Sequence, residues 1–246
     1  MTVHALDWQA VLTGQPASWL WSGLSLTASL TVWSGVLATL LAMLLLALRL
    51  SSLHLLQRCS AAYVTLFRNT PLAIQLLFWY FGGLHALPQD WRDWLNDEHA
   101  LGALHFPSAE VLVAVWSLSL FTAAFLCEEM RAGVRSLPAG QMEAARSQGF
   151  SHWQSLRLVI LPQALRQAWQ PLIGQYLNLM KNSPLTMSIA VGELMYQTNQ
   201  VESYNLHAIE AYAVAAVLYL LLGLVLSILL QGVGKVLWRK GGLDAR

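Results

Sequence analysis

Apolar residues run through this chain in long stretches, and these stretches set the fold. Residues 24–48 contain no charged side chain, and Arg49 ends the run. An α-helix needs about 20 apolar residues to cross the hydrocarbon of a bilayer, so this run suffices. A second apolar run covers 69–84, entered through 61–67. A third covers 111–127, bounded by Glu110 on one side and by Glu128, Glu129 and Arg131 on the other. The last, 211–234, is again charge-free. The stretch 158–200 is less regular: it carries Arg166, Lys181 and Glu193, and it contains Pro162, Pro171 and Pro184. Proline inside a helix removes a hydrogen bond and kinks or breaks it. Irregular backbone at membrane depth must face protein or a cavity. The pattern there predicts one span at 163–181 and a shorter, re-entrant segment at 185–198. The total is about five transmembrane helices, an all-α integral membrane protein.

Composition agrees. Hydrophobic residues make up 56% of the 246 positions and charged residues 11%, against about 25% charged in a soluble domain. So few charges cannot cover a water-facing surface. The net charge of +1 provides no global field to attract nucleic acid. Cys59 and Cys127 lie far apart in the sequence and read as small buried side chains. The seven histidines form no spaced metal pair. Residues 1–15 hold Asp7 and no Lys or Arg, which does not fit the basic start of a cleavable signal.

The distribution of charge sets the topology. Arg49, Arg58 and Arg68 lie in 49–68 without an acid. Arg131, Arg135, Arg146 and Arg157 lie in 131–157 against Glu143. The tail holds Lys235, Arg239, Lys240 and Arg246 against Asp244. In 85–107, Arg92 faces Asp90, Asp93, Asp97 and Glu98. Basic residues in short loops mark the cytoplasmic side. Five spans put the three basic segments on that side, with the N-terminus outside and the C-terminus in the cytoplasm. Trp8, Trp19, Trp21, Trp91 and Trp94 then fall at the outer interface, where amphipathic rings prefer to sit.

The loop after the third span carries a motif. Residues 143–147 read as a short helix that Gly149 stops. Phe150, Trp153 and Leu156 then recur at helical spacing. A small amphipathic helix with a glycine elbow suits docking into a partner's groove. Glu143-Ala144-Ala145, then Gly149, then Val159-x-Leu161-Pro162 resembles the EAA loop of permease subunits of ATP-binding-cassette importers. Val159 stands where that pattern has Ile. The resemblance extends over about 20–235. Phe67-Arg68-Asn69-Thr70-Pro71-Leu72 is similar to the segment opening the second span of polar amino acid permeases (the histidine, glutamine and glutamate/aspartate family). Glu128, Arg131, Gly133 and the run from Ser136 to Gln141 are similar to the stretch before their EAA loop. Lys181-Asn182-Ser183 resembles a position after their fourth span. Residues 119–124 echo a Gly-Leu-Phe-Thr-Ala-Ala run, with Ser119 in place of Gly, and lean toward the glutamate/aspartate branch.

The resemblance implies a type I importer permease fold. An outer segment would cover 1–19, the permease domain 20–235 with its coupling loop at 140–162, and a cytoplasmic tail 236–246. It implies that Glu143, Ala144, Ala145 and Gly149 contact an ATPase subunit in a bacterial inner membrane. It also implies a substrate-binding protein outside and a second permease chain, identical or a close pair, with lipid around them. The chain itself has no Gly-x4-Gly-Lys-Ser/Thr loop, so no cofactor is expected on it and ATP–Mg belongs to the partner ATPase.

Three groups of residues are candidates for chemistry. Lys181 lies about 22 Å beyond Arg166 along a continuous helix, and a lysine at that depth usually faces a polar cavity. Lys181, Asn182 and Ser183 are therefore candidates to line the translocation path, with Lys181 neutralising a substrate carboxylate. The alternatives are a structural lysine on carbonyls, one paired with Glu193, or one snorkelling outward. Glu128 and Arg131 sit one helical turn apart and form either a gate element or an ordinary ion pair. An intramembrane serine enzyme would need Ser25, Ser29, Ser117, Ser119 or Ser227 beside a base, and no histidine lies within a span. A channel would leave the coupling loop unexplained. Basic or amide amino acids remain alternative cargo.

Overall fold

The computed structural model describes residues 6–97, 100–101, 104–105 and 107–239. His4, Glu98, His99, Lys240, Asp244 and Arg246 of the charge and histidine arguments lie outside them. The chain runs through α1 (Gln9–Leu12), α2 (Gly14–Arg49), α3 (His54–Asn69), α4 (Leu72–Leu77) and α5 (Gln89–Asn96). It continues through α6 (Ala109–Arg135), α7 (Gly140–Ser147), α8 (His152–Ser155), α9 (Leu161–Asn182), α10 (Leu194–Asn205) and α11 (Ala208–Arg239). A two-residue hairpin pairs Ala100–Leu101 with Leu104–His105 between α5 and α6.

Among the described residues three helices are long and apolar enough to cross a bilayer alone: α2, α6 and α11. The other two expected spans are built differently. α9 is continuous over 22 residues, about 33 Å, but carries charge at both ends. The second span is composite: α3 ends at Asn69, and α4 with a π-helical turn at Phe78–Gly83 completes it. Pro71 sits at the junction of the two helices as the N-cap of α4, so it opens the second of them. Its missing N–H and its bias on the preceding residue release carbonyls at the junction. Gln75 repairs them: its Nε2 donates to the Phe67 carbonyl at 3.0 Å and to the Thr70 carbonyl at 2.9 Å.

α2 is 36 residues long, about 54 Å, and exceeds a hydrocarbon core of about 30 Å. It starts well before the apolar run at 24. Its buried face repeats at helical spacing through Leu20, Gly23, Thr27, Leu30, Ser34, Ala38, Ala42 and Leu45. Val32, Trp33, Val36, Leu40 and Leu44 lie exposed on the opposite face, which is apolar all round as a helix in lipid must be. One core joins α2, α3, α6 and α9 at the end that carries Arg49, and a second joins α2, α4, α6 and the 183–191 segment. α11 buries little of its apolar stretch and presents a broad face to lipid or a partner chain. Trp8, Trp21, Trp91 and Trp94 are exposed, whereas Trp19 packs edge-on against Tyr204.

Small residues let α6 and α9 touch. A Cβ added at Gly133 would collide with the Ala164 carbonyl oxygen and sit 3.0 Å from the Ala168 Cβ. Close backbone approach through small residues is the usual device of helix packing in membranes. Gly133→Val is expected to cost about 1–3 kcal/mol by overpacking. A lower thermal midpoint and a reduced monodisperse fraction of the purified protein would report it, and an unchanged midpoint would contradict the packing.

Of the three prolines in 158–200, only Pro184 marks a break. Pro162 occupies the first turn of α9, where its missing donor costs nothing. Pro171 sits inside an unbroken helix. The expected single segment at 185–198 is replaced by a 3-10 turn at Ser183–Ile189, a left-handed residue at Ala190 (φ 63°), and then α10. Glu193 holds this reversal in place. It is fully buried, caps α10 by accepting from the Tyr196 N–H at 2.9 Å, and accepts from the Tyr219 hydroxyl at 2.6 Å. Thr27 ties α2 to the same point through the Leu194 N–H at 3.1 Å. The cysteine expectation is half corrected: Cys127 is buried but Cys59 is exposed on α3, and both are free.

Candidate functional sites: the loop between α6 and α9 and a polar cavity

Two sites matter, and α9 connects them. The first is the loop between α6 and α9. α7 presents Glu143 and Ala144 outward and buries Ala145. Its end is a complete Schellman motif: the Gly149 N–H donates to the Arg146 carbonyl at 3.0 Å and the Phe150 N–H to the Ala145 carbonyl at 3.3 Å. Gly149 takes φ 89° to close it. Immediately afterwards, Ser151 and Gln154 form a capping box that starts α8. The Ser151 N–H donates to Gln154 Oε1 at 2.8 Å, and the Gln154 N–H donates to Ser151 Oγ at 3.3 Å. A helix stop and a helix start thus share three residues, and that is the physical content of the elbow.

Leu156 and Ile160 anchor the following π-helical turn (Leu156–Ile160) in the protein, while Trp153 and Leu158 remain exposed at 60% and 59%. An exposed tryptophan beside a short polar helix outside the bundle is apolar surface available to a partner. Arg146 and Arg157 are exposed on the same loop.

The second site is a cavity of about 270 Å³ between α6 and α9, lined by Phe121, Thr122, Phe125, Gln175, Asn178, Leu179, Lys181 and Asn182. Thr122 lies halfway along α6, so the cavity opens at mid-depth of that helix. Lys181 and Asn182 reach it. Ser183 does not: it is buried, and its hydroxyl donates to the Met180 carbonyl at 2.9 Å. Among the described residues no carboxylate pairs with Lys181. Glu193, the acid weighed as its partner, is occupied by Tyr219 and the α10 backbone. Asn178, Gln175 and Thr122 were not singled out from the sequence; Asn178 and Lys181 are one turn apart on α9, a spacing that marks a shared face.

Glu128 and Arg131 do form an ion pair. Arg131 Nε and Nη2 reach Glu128 Oε1 and Oε2 at 3.0 and 2.9 Å, and Arg49 Nη2 joins at 3.6 Å. The pair thereby ties α6 to the end of α2. Glu129 faces α9 instead, accepting from Gln175 Nε2 at 3.0 Å. Arg68 stacks its guanidinium over the Phe125 ring at 5.2 Å, next to the cavity. Ser25, Ser29 and Ser119 donate to the carbonyls about one turn back, at Ser22, Ser25 and Val115. Their hydroxyls serve packing, as polar groups in membrane helices generally do.

Comparison with known proteins places this architecture. The glutamate/aspartate import permease protein GltJ of Escherichia coli K12 is 33% identical over 204 residues, covering 83% of this chain and 81% of that protein. The probable glutamine ABC transporter permease protein GlnM of Bacillus subtilis 168 is 38% identical over 181 residues, covering 74% and 76%. A crystal structure of an amino acid ABC transporter with histidines superposes with a TM-score of 0.76 at 26% identity, over 94% of this chain and 99% of that one. The MetNI methionine ABC transporter in an inward-facing form shares the fold, with a TM-score of 0.65 at 20% identity over 90% and 99%. These relatives are transport subunits, not enzymes. Residues 38–237 match the sequence profile of the binding-protein-dependent transport system inner membrane component, and the chain belongs to that family as a permease subunit of an ATP-binding-cassette importer.

Proposed function

We propose that this permease moves polar amino acids into the cell, with glutamate and aspartate as the preferred class. The observation that carries the reading is Lys181: a cation without a carboxylate partner among the described residues, at a mid-depth cavity that also offers Asn178, Asn182 and Thr122. A lone cation at that depth is costly unless it meets an anion or water. An amino acid's α-carboxylate, or an acidic side chain, supplies the anion, and the two asparagines supply donors and acceptors for its remaining polar groups.

The mechanism follows from α9 as a rigid link. An ATPase subunit, which holds the ATP–Mg, docks at Glu143, Ala144 and Ala145 and at the elbow formed by Gly149. α9 begins directly after that loop and ends at Asn182, about 33 Å away. Because α9 packs on α6 through Gly133, Ala164 and Ala168, a displacement of the loop moves both walls of the cavity together. That biases the equilibrium between outward- and inward-open states. A binding protein outside delivers the substrate, and a second permease chain completes the pathway. The positive-inside bias orients the loop toward the cytoplasm and the N-terminus outward.

Reconstitution with the ATPase and binding protein encoded beside it tests the cargo. ATP-dependent uptake of labelled glutamate, competed by aspartate but not by arginine, histidine or glutamine, is the expected result. Uptake of a basic or amide amino acid alone would overturn the acidic class while leaving the importer reading intact.

A further inference from the structure

A second charged cavity lies at the end of the bundle opposite α10, on the side the arginine distribution assigns to the cytoplasm. It measures about 410 Å³ and is lined by Arg49, Arg58, Arg131 and Arg135 together with Gln57. Four guanidiniums from three helices, α2, α3 and α6, converge on it. Glu128 is the carboxylate that reaches any of them, and Arg131 already takes both of its oxygens. Arg58 and Arg135 are exposed and form no ion pair among the described residues. Arg49 Nη1 is buried with no hydrogen-bond partner, and an orphaned charged donor is expensive. The cavity lining thus carries an excess of positive charge, and one of its arginines, Arg49, keeps an unfilled donor.

We infer that this cavity binds the phosphate of an anionic phospholipid from the inner leaflet. Guanidinium groups engage phosphate oxygens bidentately, and basic pockets between membrane helices on the cytoplasmic side suit anionic headgroups. The neighbouring surface selects a lipid over a free anion. Leu66 is 63% exposed and lies about two turns after Arg58 on the same stripe of α3, on the bilayer side of the arginines. That apolar surface lies where acyl chains would run from a headgroup held by the arginines. The site is separate from the substrate cavity, so it stands whatever the cargo is. Its position also matters: the Arg131–Glu128–Arg49 bridge forms part of its wall and joins α6, a wall of the substrate cavity, to α2.

The test uses the permease–ATPase complex in nanodiscs of phosphatidylcholine with or without phosphatidylglycerol, followed by native mass spectrometry of retained lipid. Wild-type complex is expected to retain phosphatidylglycerol in preference to phosphatidylcholine. Arg58→Gln with Arg135→Gln, which spares the Glu128 bridge, is expected to weaken retention about 30-fold, from roughly a fivefold loss per arginine near an anionic surface. Equal retention of both lipids by wild type, or undiminished retention by the double variant, overturns the inference. Inorganic phosphate stabilising the delipidated complex as well as phosphatidylglycerol does would also overturn the lipid assignment, in favour of a free anion.

Discussion

Lys181→Met is expected to reduce initial rates of glutamate uptake about 10- to 100-fold at subsaturating substrate. The figure comes from losing a hydrogen bond to a charged group, roughly 1.5–3 kcal/mol, at about 1.4 kcal/mol per factor of ten. Methionine keeps the length and apolar stem of lysine, so the packing of α9 on α6 remains and assembly with the ATPase is retained. The loss arises in binding and not in folding because no described carboxylate depends on Lys181 for its own neutralisation: Glu193 has Tyr219 and the Tyr196 N–H, and Glu128 has Arg131. Initial uptake rates over a substrate series, with co-purification of the ATPase as the assembly control, check it. Normal transport by an assembled variant would remove Lys181 from the path. Collapse of assembly would instead make it the structural lysine that the sequence also allowed.

Much of this was legible in the sequence, for identifiable reasons. The spans at α2, α6 and α11 follow from charge-free apolar runs, because a bilayer tolerates little else. The helix stop at Gly149 was legible because it is set locally, by a glycine that supplies the positive φ, whereas the Ser151–Gln154 cap that starts α8 was not singled out. What failed to show was structure decided by distant residues. Pro71 opens α4 as its sequence position suggests, but that α3 precedes it in the same span, and that Gln75 mends the junction with its side chain, needs three dimensions. The reversal at Ala190 depends on Glu193 meeting Thr27 and Tyr219, residues far away in the chain. Ser183 belonged to a three-residue motif, but consecutive residues at a helix end point in different directions, and only Lys181 and Asn182 reach the cavity. Asn178 was missed because a neutral amide in a membrane helix has many ordinary uses, whereas a lysine there attracts notice.

Gly149→Val is expected to reduce coupling about 5- to 30-fold while leaving the membrane bundle folded. At φ 89° a side chain with a Cβ costs about 1–2 kcal/mol, and a β-branched one is a true outlier. The Schellman bonds from Gly149 and Phe150 would then compete with that strain, and the fraction of loops holding the elbow falls by about 5- to 30-fold. Nothing lies within 4 Å of a Cβ built at this position, so within this chain the penalty is one of backbone and not of crowding. That separates two causes experimentally. Gly149→Asn accepts the left-handed conformation and should keep most of the uptake if the loop's own geometry is what matters. If the ATPase groove closes tightly on the glycine, asparagine fails as badly as valine. Binding-protein-stimulated ATP hydrolysis, measured beside uptake in all three proteins, discriminates these outcomes. The valine form is expected to lower both together, with the thermal midpoint of the bundle unchanged, since α7 and α8 lie outside the cores that join α2, α6 and α9.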